Sequence, residues 1–439
     1  MRVTIAANLT IHAPGALLPQ IRRMATWRSR EGYAKRVLRL WRWRPELDQV
    51  TVPRGLWPLP TSWGPCDAQD ERLLLPEVRF GWRGPDLDAH QKRAATSLYR
   101  RGGGVLVAPT GTGKTVMALR AVAGWRQPCL WIVDTQDLAA QAMDRAATFF
   151  GLPPSAFGVV EDGRAAPGTH FTVGLRQSLI GQPREFFEQF GAVFGDEVDL
   201  SAASQWLRIL SRCRARYRAG ATATPKRSDK LEPVVFAMFG GVAARITQDQ
   251  AVEAGRFQVP SIRIVRTGRR YVYRDSWPDL QRERALDSAR NWLIALHVQR
   301  ELRRGHNCLI LIQRLDHAAA IRHSLAAIGV RAHVVTGSVR SESRATRLDA
   351  MREGKGQCLV ATKLINRGVD LPAVDRLFLA DSYRSAPTVE QQIGRVTRTA
   401  PGKTSAVVFD FWDDCAQFMA QAQERLKLYR SRGWPVVGA

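Results

Sequence analysis

Short apolar runs alternate with amphipathic runs along most of the chain. Between about residues 86 and 247 the apolar runs are GGVLVAP, CLWIVD, HFTVG, AVFGDE and YRAGATATP. Runs of this length, apolar on both faces, are expected as buried strands of a parallel sheet. Between them lie stretches with helical spacing, such as VMALRAVAGW and LAAQAMDRAATFF. The alternation predicts βαβ units and a doubly wound α/β sheet. A second block, about 284–430, repeats the texture with NCLILIQ, AHVVTG, QCLVAT, RLFLAD and SAVVFDF. The stretch 248–283 between the blocks is polar and basic, carries RTGRRYVYR and is read as a linker. Residues 431–439 are read as a tail. The first 85 residues form a third region, in which Trp27, Trp41, Trp43, Trp57, Trp63 and Trp82 fall among many arginines. The expected architecture is therefore α/β, with two parallel-sheet domains and a small N-terminal accessory domain.

Length supports this division, because 439 residues exceed what one core ordinarily holds. Charge adds a partner. Lys and Arg number 65 against 40 Asp and Glu, a formal net charge of +25, which suits a polyanion such as nucleic acid. In the first region SREGYAKRVLRLWRWR interleaves basic and aromatic residues. Such a stretch can contact phosphates and stack on bases, or its tryptophans can form a small core. No apolar run approaches the roughly 18 residues of a membrane span, so no membrane partner is expected. Cys66, Cys129, Cys213, Cys308, Cys358 and Cys415 are scattered singly, without zinc-ligand spacing. That usage fits a reducing cytoplasm, and the N-terminus carries no secretory pattern.

Three motifs carry chemistry. The first runs from Ala108 through Pro109, Thr110, Gly111, Thr112, Gly113 and Lys114 to Thr115, between an expected strand and an expected helix. A phosphate-binding loop needs that context. Its glycines let successive N–H groups point at phosphate oxygens. Lys114 would reach the β- and γ-phosphates of ATP, and the Thr115 hydroxyl would bind Mg²⁺. Ala108 stands where the general pattern has its first Gly. The second motif is Asp196-Glu197-Val198-Asp199, after the apolar run GAVFG. Asp196 would hold Mg²⁺, and Glu197 would orient the attacking water. The third is QQIGRVTR, residues 391–398, in which Arg395 and Arg398 are expected on one helix face. Meeting the γ-phosphate, they would stabilise its charge.

In this order the three motifs resemble helicase superfamily 2, over about residues 86–410. The resemblance implies two RecA-like domains with ATP bound between them. It implies that Gln91 in LDAHQ reads adenine, and that Gly368 and Asp370 in ATKLINRGVDLP lie on the nucleotide side. It assigns Thr135 in IVDTQDLAAQ, Gly174 and Gln177 in GLRQSL, Gln313, Arg314 and Thr362 to nucleic-acid contact. Thr222 and Thr224 in GATATP, Asp199 and Gln391 would couple hydrolysis to domain movement. Within the superfamily the sequence resembles the phage UvsW and XPB-like branch, through GATATPKRSDK, the following FAMFG and the N-terminal VPRGLWPLP. The chain departs from the pattern at Asp199, where many relatives have His, and at Arg367, where many have Glu.

The expected function is an ATP-dependent DNA helicase or translocase acting on single-stranded, forked or branched DNA, as a monomer. The alternatives are an RNA-remodelling ATPase and the motor of a restriction or defence complex whose nuclease is a separate partner.

Overall fold

The computed structural model describes residues 1–31, 34–161, 163–198, 203–223, 232–336, 341–352, 357–362, 371–381 and 386–438. The chain divides into two compact units, Met1–Gln250 and Ala251–Ala439.

The first unit begins with a sheet of its own. Its strands run in the order Arg42–Arg44, Gln49–Pro53, Asn8–His12, Arg2–Ile5 and Asp67–Asp70. Period-two alternation puts Val3, Ile5, Leu9, Ile11, Val50 and Val52 on one face, where they form a dry core with Ile21. Trp41, Trp43, Trp57 and Trp63 pack against that core, so these aromatics serve packing. A hairpin of Thr26–Glu31 and Ala34–Arg39 stands beside it. Trp27, Leu38 and Leu40 of the hairpin region pack against the core of the following α/β sheet.

Buried arginines fasten this small module to the α/β sheet. Arg54 donates to the Ala6 carbonyl at 3.2 Å and to the Ala215 carbonyl at 2.7 Å. Arg218, 3 % exposed, donates to the carbonyls of Ala7, Leu210, Cys213 and Met238. Desolvation pushes Arg218 down to about 10. A buried carbonyl left without its donor costs about 1–3 kcal/mol. Arg218→Met should therefore destabilise the first unit by about 3 kcal/mol or more, read as a lower denaturation midpoint and faster proteolysis near residue 70. An unchanged midpoint would mean that the four bonds are not a fastening.

The α/β sheet of this unit has eight strands. Their order is Arg164–Ala166, Phe157–Glu161, Phe171–Leu175, Cys129–Val133, Ala192–Gly195, Tyr217–Thr222, Gly103–Val107 and Val242–Arg245. Seven are parallel, and Arg164–Ala166 is an antiparallel edge. Every strand expected from the apolar runs is present. Trp131 stacks on Phe194 with centroids 4.3 Å apart in the buried centre. The strands Gly103–Val107 and Ala192–Gly195 flank Tyr217–Thr222, so their C-terminal ends open at one edge. Open α/β sheets bind ligands at that edge.

The second unit holds a seven-stranded parallel sheet. Its order is His333–Val335, Cys358–Ala361, Cys308–Leu311, Arg376–Leu379, Val407–Asp414, Ser261–Arg270 and Val436–Val437. This corrects two expectations. The stretch 248–283 is not a bare linker, because Ser261–Arg270 is a ten-residue strand of the sheet, with Ile262 and Ile264 buried. The stretch 431–439 is not a loose tail, because Trp434 is buried and Val436–Val437 pairs with that strand. Two of the four arginines of RTGRRYVYR have acidic partners: Arg269 pairs with Asp287 at 2.7 Å and Arg270 with Asp414 at 3.0 Å. Tyr271 is buried and donates its hydroxyl to Asp287. Deeper in the unit, buried pairs join Arg290 to Asp413, Arg284 to Asp381 and Arg425 to Asp410.

Candidate active site

The loop after Gly103–Val107 turns on two glycines. Gly111 has φ +90° and Gly113 φ +82°, angles that side chains rarely adopt. A Cβ on Gly113 would also stand 2.6 Å from the Gln91 amide nitrogen. The loop is tied to the sheet where the Ala108 amide donates to the Thr222 carbonyl at 3.1 Å. Buried Thr112 closes it from within, its hydroxyl donating to the Pro109 carbonyl at 2.7 Å. Pro109 and Thr110 are half-buried at its crest. The helix Lys114–Trp125 starts at once, with its first-turn N–H groups and positive dipole end at the loop. Lys114 Nζ donates to the Ala108 and Pro109 carbonyls at 3.0 and 3.2 Å, which keeps the ammonium over the loop.

Gln91 is almost completely buried. It closes a capping box with Asp88 at the start of the helix Ala89–Arg101, and its Nε2 donates to the Thr112 carbonyl at 2.9 Å. The expected adenine reader thus also braces the phosphate loop.

Asp196 and Glu197 follow the strand Ala192–Gly195. The Asp196 amide donates to the Ile132 carbonyl, and Val198, buried, donates to the Ala221 carbonyl. Between these anchors Glu197 has φ +47°, a left-handed conformation that is costly for a side-chain-bearing residue. The turn leaves Glu197 half-buried and lets its amide donate to Asp196 Oδ1 at 3.0 Å. Burial, then the neighbouring Glu197 charge, push the Asp196 carboxyl up to about 6; Lys114 and Arg145 pull it the other way. A buried carboxylate held beside Lys114 is short of positive charge, and a divalent cation would meet that need. Asp196 and the Thr115 hydroxyl offer hard oxygen donors of the kind Mg²⁺ takes. Among the described residues no cluster of three or more His, Cys, Asp or Glu could hold a metal ion.

Arg145 was missed in the sequence. It donates to the Thr115 hydroxyl at 3.2 Å from the helix Gln136–Phe150, and no motif or spacing marks it.

Other assigned residues scatter in character. Thr222 is buried at the end of its strand. Thr135 caps the helix Gln136–Phe150 by accepting from the Leu138 amide. Gly174 lies inside a strand, where a Cβ would meet Leu179 at 2.8 Å; packing demands this glycine. Gln177 is exposed on a short helix. Beside it Arg176 pairs with buried Asp134 and bonds Gln205. In the second unit Gln313 donates its amide to Asp381, Arg314 pairs with Asp316, and Thr362 is buried at the end of Cys358–Ala361. Asp199, Thr224, Arg367, Gly368 and Asp370 lie outside the described residues.

The model for the type III restriction enzyme res subunit matches residues 85–227, and the model for the helicase conserved C-terminal domain matches 288–400. These two matches span the three motifs in order. The chain belongs to helicase superfamily 2. It is an ATP-using enzyme of that family. It is similar to the ATP-dependent DNA helicase UvsW of Enterobacteria phage T4, 24 % identical over 368 residues, 78 % of this chain and 72 % of that protein. It is also similar to the DNA 3'-5' helicase XPB of Kineococcus radiotolerans, 26 % identical over 377 residues, 81 % of this chain and 64 % of that protein. Among solved structures it shares its fold with S. cerevisiae Dbp5 bound to RNA and ADP BeF3, at a TM-score of 0.58 and 14 % identity, covering 80 % of this chain and 89 % of that one.

The helicase motif of residues 391–398 departs from the expected geometry. The helix Ala386–Ile393 ends before both arginines, so they do not share a helix face. Gln391 is half-buried in its last turn. Gly394 breaks the run, and the Thr397 hydroxyl bonds back to the Gly394 carbonyl at 3.1 Å. Arg395 is buried in the turn that follows. Arg398 is half-buried in an antiparallel bridge with Phe257.

Proposed function

We propose that this helicase is an ATP-driven motor that moves on DNA, with forked or branched joints as its substrates. The observation that carries the ATPase chemistry is the juxtaposition of Lys114, Thr115, Asp196 and Glu197 at one sheet edge. The phosphate loop from Pro109 to Thr115 cradles the phosphates through its N–H groups, and Lys114 draws the γ-phosphate. Thr115 and Asp196 hold Mg²⁺, which neutralises phosphate charge when bound. Glu197 orients and polarises the attacking water, and its backbone turn fixes the carboxylate's direction. Gln91 contacts adenine, and Gly368 and Asp370 contribute to nucleotide binding. Arg395 and Arg398 stabilise charge on the γ-phosphate. Thr222, Thr224, Asp199 and Gln391 couple hydrolysis to movement.

DNA is supported by the activities for which the phage and bacterial relatives are named and by the net charge of +25. Thr135, Gln177, Arg314 and Thr362 contact the strand mainly at its phosphates, so sequence preference is slight and affinity falls steeply with salt. Gly174 and Gln313 belong to the same nucleic-acid-binding set. Exposed Arg28, Arg39, Arg42 and Arg44 make the N-terminal module a further phosphate-binding face fixed to the first unit. The protein works as a monomer, and in the cytoplasm, which its scattered single cysteines fit. No helix among the described residues is long and apolar enough to cross a membrane. A second reading, the motor of a restriction complex, is favoured by the match of residues 85–227 to the res-subunit model.

The test is ATP hydrolysis without nucleic acid and with single-stranded DNA, forks, four-way junctions and RNA. Strongest stimulation by forks or junctions is expected. Stimulation by RNA alone would overturn the DNA reading, and activity that needs an added nuclease subunit would favour the second. In the same assay Arg398→Ala should bind ATP normally and lose roughly 10³-fold in kcat.

A further inference from the structure

The segment that carries Arg398 is held in place by more than its own chain direction. Phe257 bridges to Arg398, the Gln258 amide donates to the Thr397 carbonyl at 2.7 Å, and the Thr399 hydroxyl donates to the Gly255 carbonyl at 2.8 Å. A further tie comes from Lys403. Its ammonium donates to the Arg398 carbonyl at 2.7 Å, to the Val374 carbonyl at 2.7 Å and to the Pro372 carbonyl at 3.5 Å. Pro372 and Val374 lie in the turn between residues 363–370 and the strand Arg376–Leu379. One side chain thus joins the turn that follows residues 363–370 to the segment that carries Arg398.

An ammonium has three donors and no acceptor, and here each donor meets a backbone carbonyl. Burial pushes Lys403 down to about 8, opposed by Asp375 and assisted by Arg398 and Arg376. The desolvation is a cost to the charged form. Water could satisfy three carbonyls near the surface without that cost. The gain is geometric: the Arg398 carbonyl is fixed against Val374, so the backbone from which the guanidinium projects cannot drift.

We propose that Lys403 is a positioning residue for ATP hydrolysis, locking the Arg398 backbone to the Pro372–Val374 turn so that the Arg398 guanidinium meets the γ-phosphate in register. The proposal rests on the reading of Arg398 given above. A displacement of about 1 Å costs on the order of 100-fold in a pre-aligned reaction.

The experiment measures kcat and KM for ATP under saturating forked DNA for the full chain, Lys403→Met, Lys403→Gln, Lys403→Arg and Arg398→Ala, with thermal unfolding alongside. Lys403→Met should lower kcat about 10- to 100-fold while KM for ATP stays within about twofold, because the phosphate loop is untouched. Lys403→Gln carries the test if the Met variant does not fold. Lys403→Arg should restore most of kcat, since a guanidinium keeps several donors and its charge. The pH profile adds a signature that loss of packing would not give. Lys403 is charged below about 8 and neutral above it, so wild-type kcat should fall as pH rises through that value. The charged groups that face Lys403 are Asp375, Arg376 and Arg398. The Arg variant should lack this alkaline fall. Wild-type kcat in a folded Lys403→Met or Lys403→Gln, in a protein whose Arg398→Ala variant is inactive, would overturn the proposal, as would an effect on KM alone. Full activity of Arg398→Ala would instead remove the reading on which the proposal rests.

Discussion

Lys114→Ala should abolish ATP hydrolysis, to at most about a thousandth of the wild-type rate, at every concentration of nucleic acid. Two effects act together. The ammonium that draws the γ-phosphate is lost. The Asp196 carboxyl also loses the charge that holds it down, so it climbs further above the about 6 at which burial and Glu197 already place it. A protonated Asp196 is a poor partner for a cation. The fold should survive, because Lys114 is half-exposed and its bonds to the Ala108 and Pro109 carbonyls are only partly buried. Phosphate release with forked DNA is the measurement, with a thermal melt as control. Turnover within tenfold of wild type, in a protein that melts normally, would remove the phosphate-loop assignment.

Glu197→Gln should separate binding from chemistry. The amide has the carboxylate's shape, so the left-handed turn at φ +47° and the Glu197 amide bond to Asp196 are kept. The swap also removes a negative charge that raises Asp196, so cation and ATP binding should be preserved or strengthened. What is lost is the group that takes up proton density from water. A general base contributes typically 10²–10⁴-fold, and a loss of about that size in single-turnover hydrolysis is expected. Equilibrium binding of a fluorescent ATP analogue should be unchanged within about threefold. Unimpaired hydrolysis would show that another group orients the water, and weakened binding would show that Glu197 holds nucleotide instead.

Much of the candidate site is legible in the sequence. Ala108 to Thr115 and Asp196-Glu197 end apolar strands, and an apolar run followed by a glycine-rich or acidic turn is a local pattern. The unexpected features depend on partners remote in sequence. The strand Ser261–Arg270 alternates Ile262 and Ile264 with arginines, so one face is polar and the run reads as a linker until Val407–Asp414 pairs along its edge and Ala422 and Leu426 pack against Ile264. The helix expected through residues 391–398 stops because Gly394 weakens it while Phe257 bridges Arg398 from 141 positions earlier in the chain. Arg145, Arg218 and Lys403 are anonymous basic residues in the sequence. Each is singled out only by the oxygen atoms that folding brings to it.

By itself the sequence determined the chemistry and the class of fold. Apolar periodicity and turn residues are local, and they dictate strands, helices and the phosphate loop at short range. Tertiary structure decided which charges are buried and which backbone groups they hold. It fastened the N-terminal module through Arg54 and Arg218, braced the phosphate loop with Gln91, and tied the Arg398 segment through Lys403. Those outcomes rest on desolvation and hydrogen-bond geometry, which depend on neighbours in space and not on neighbours in the chain.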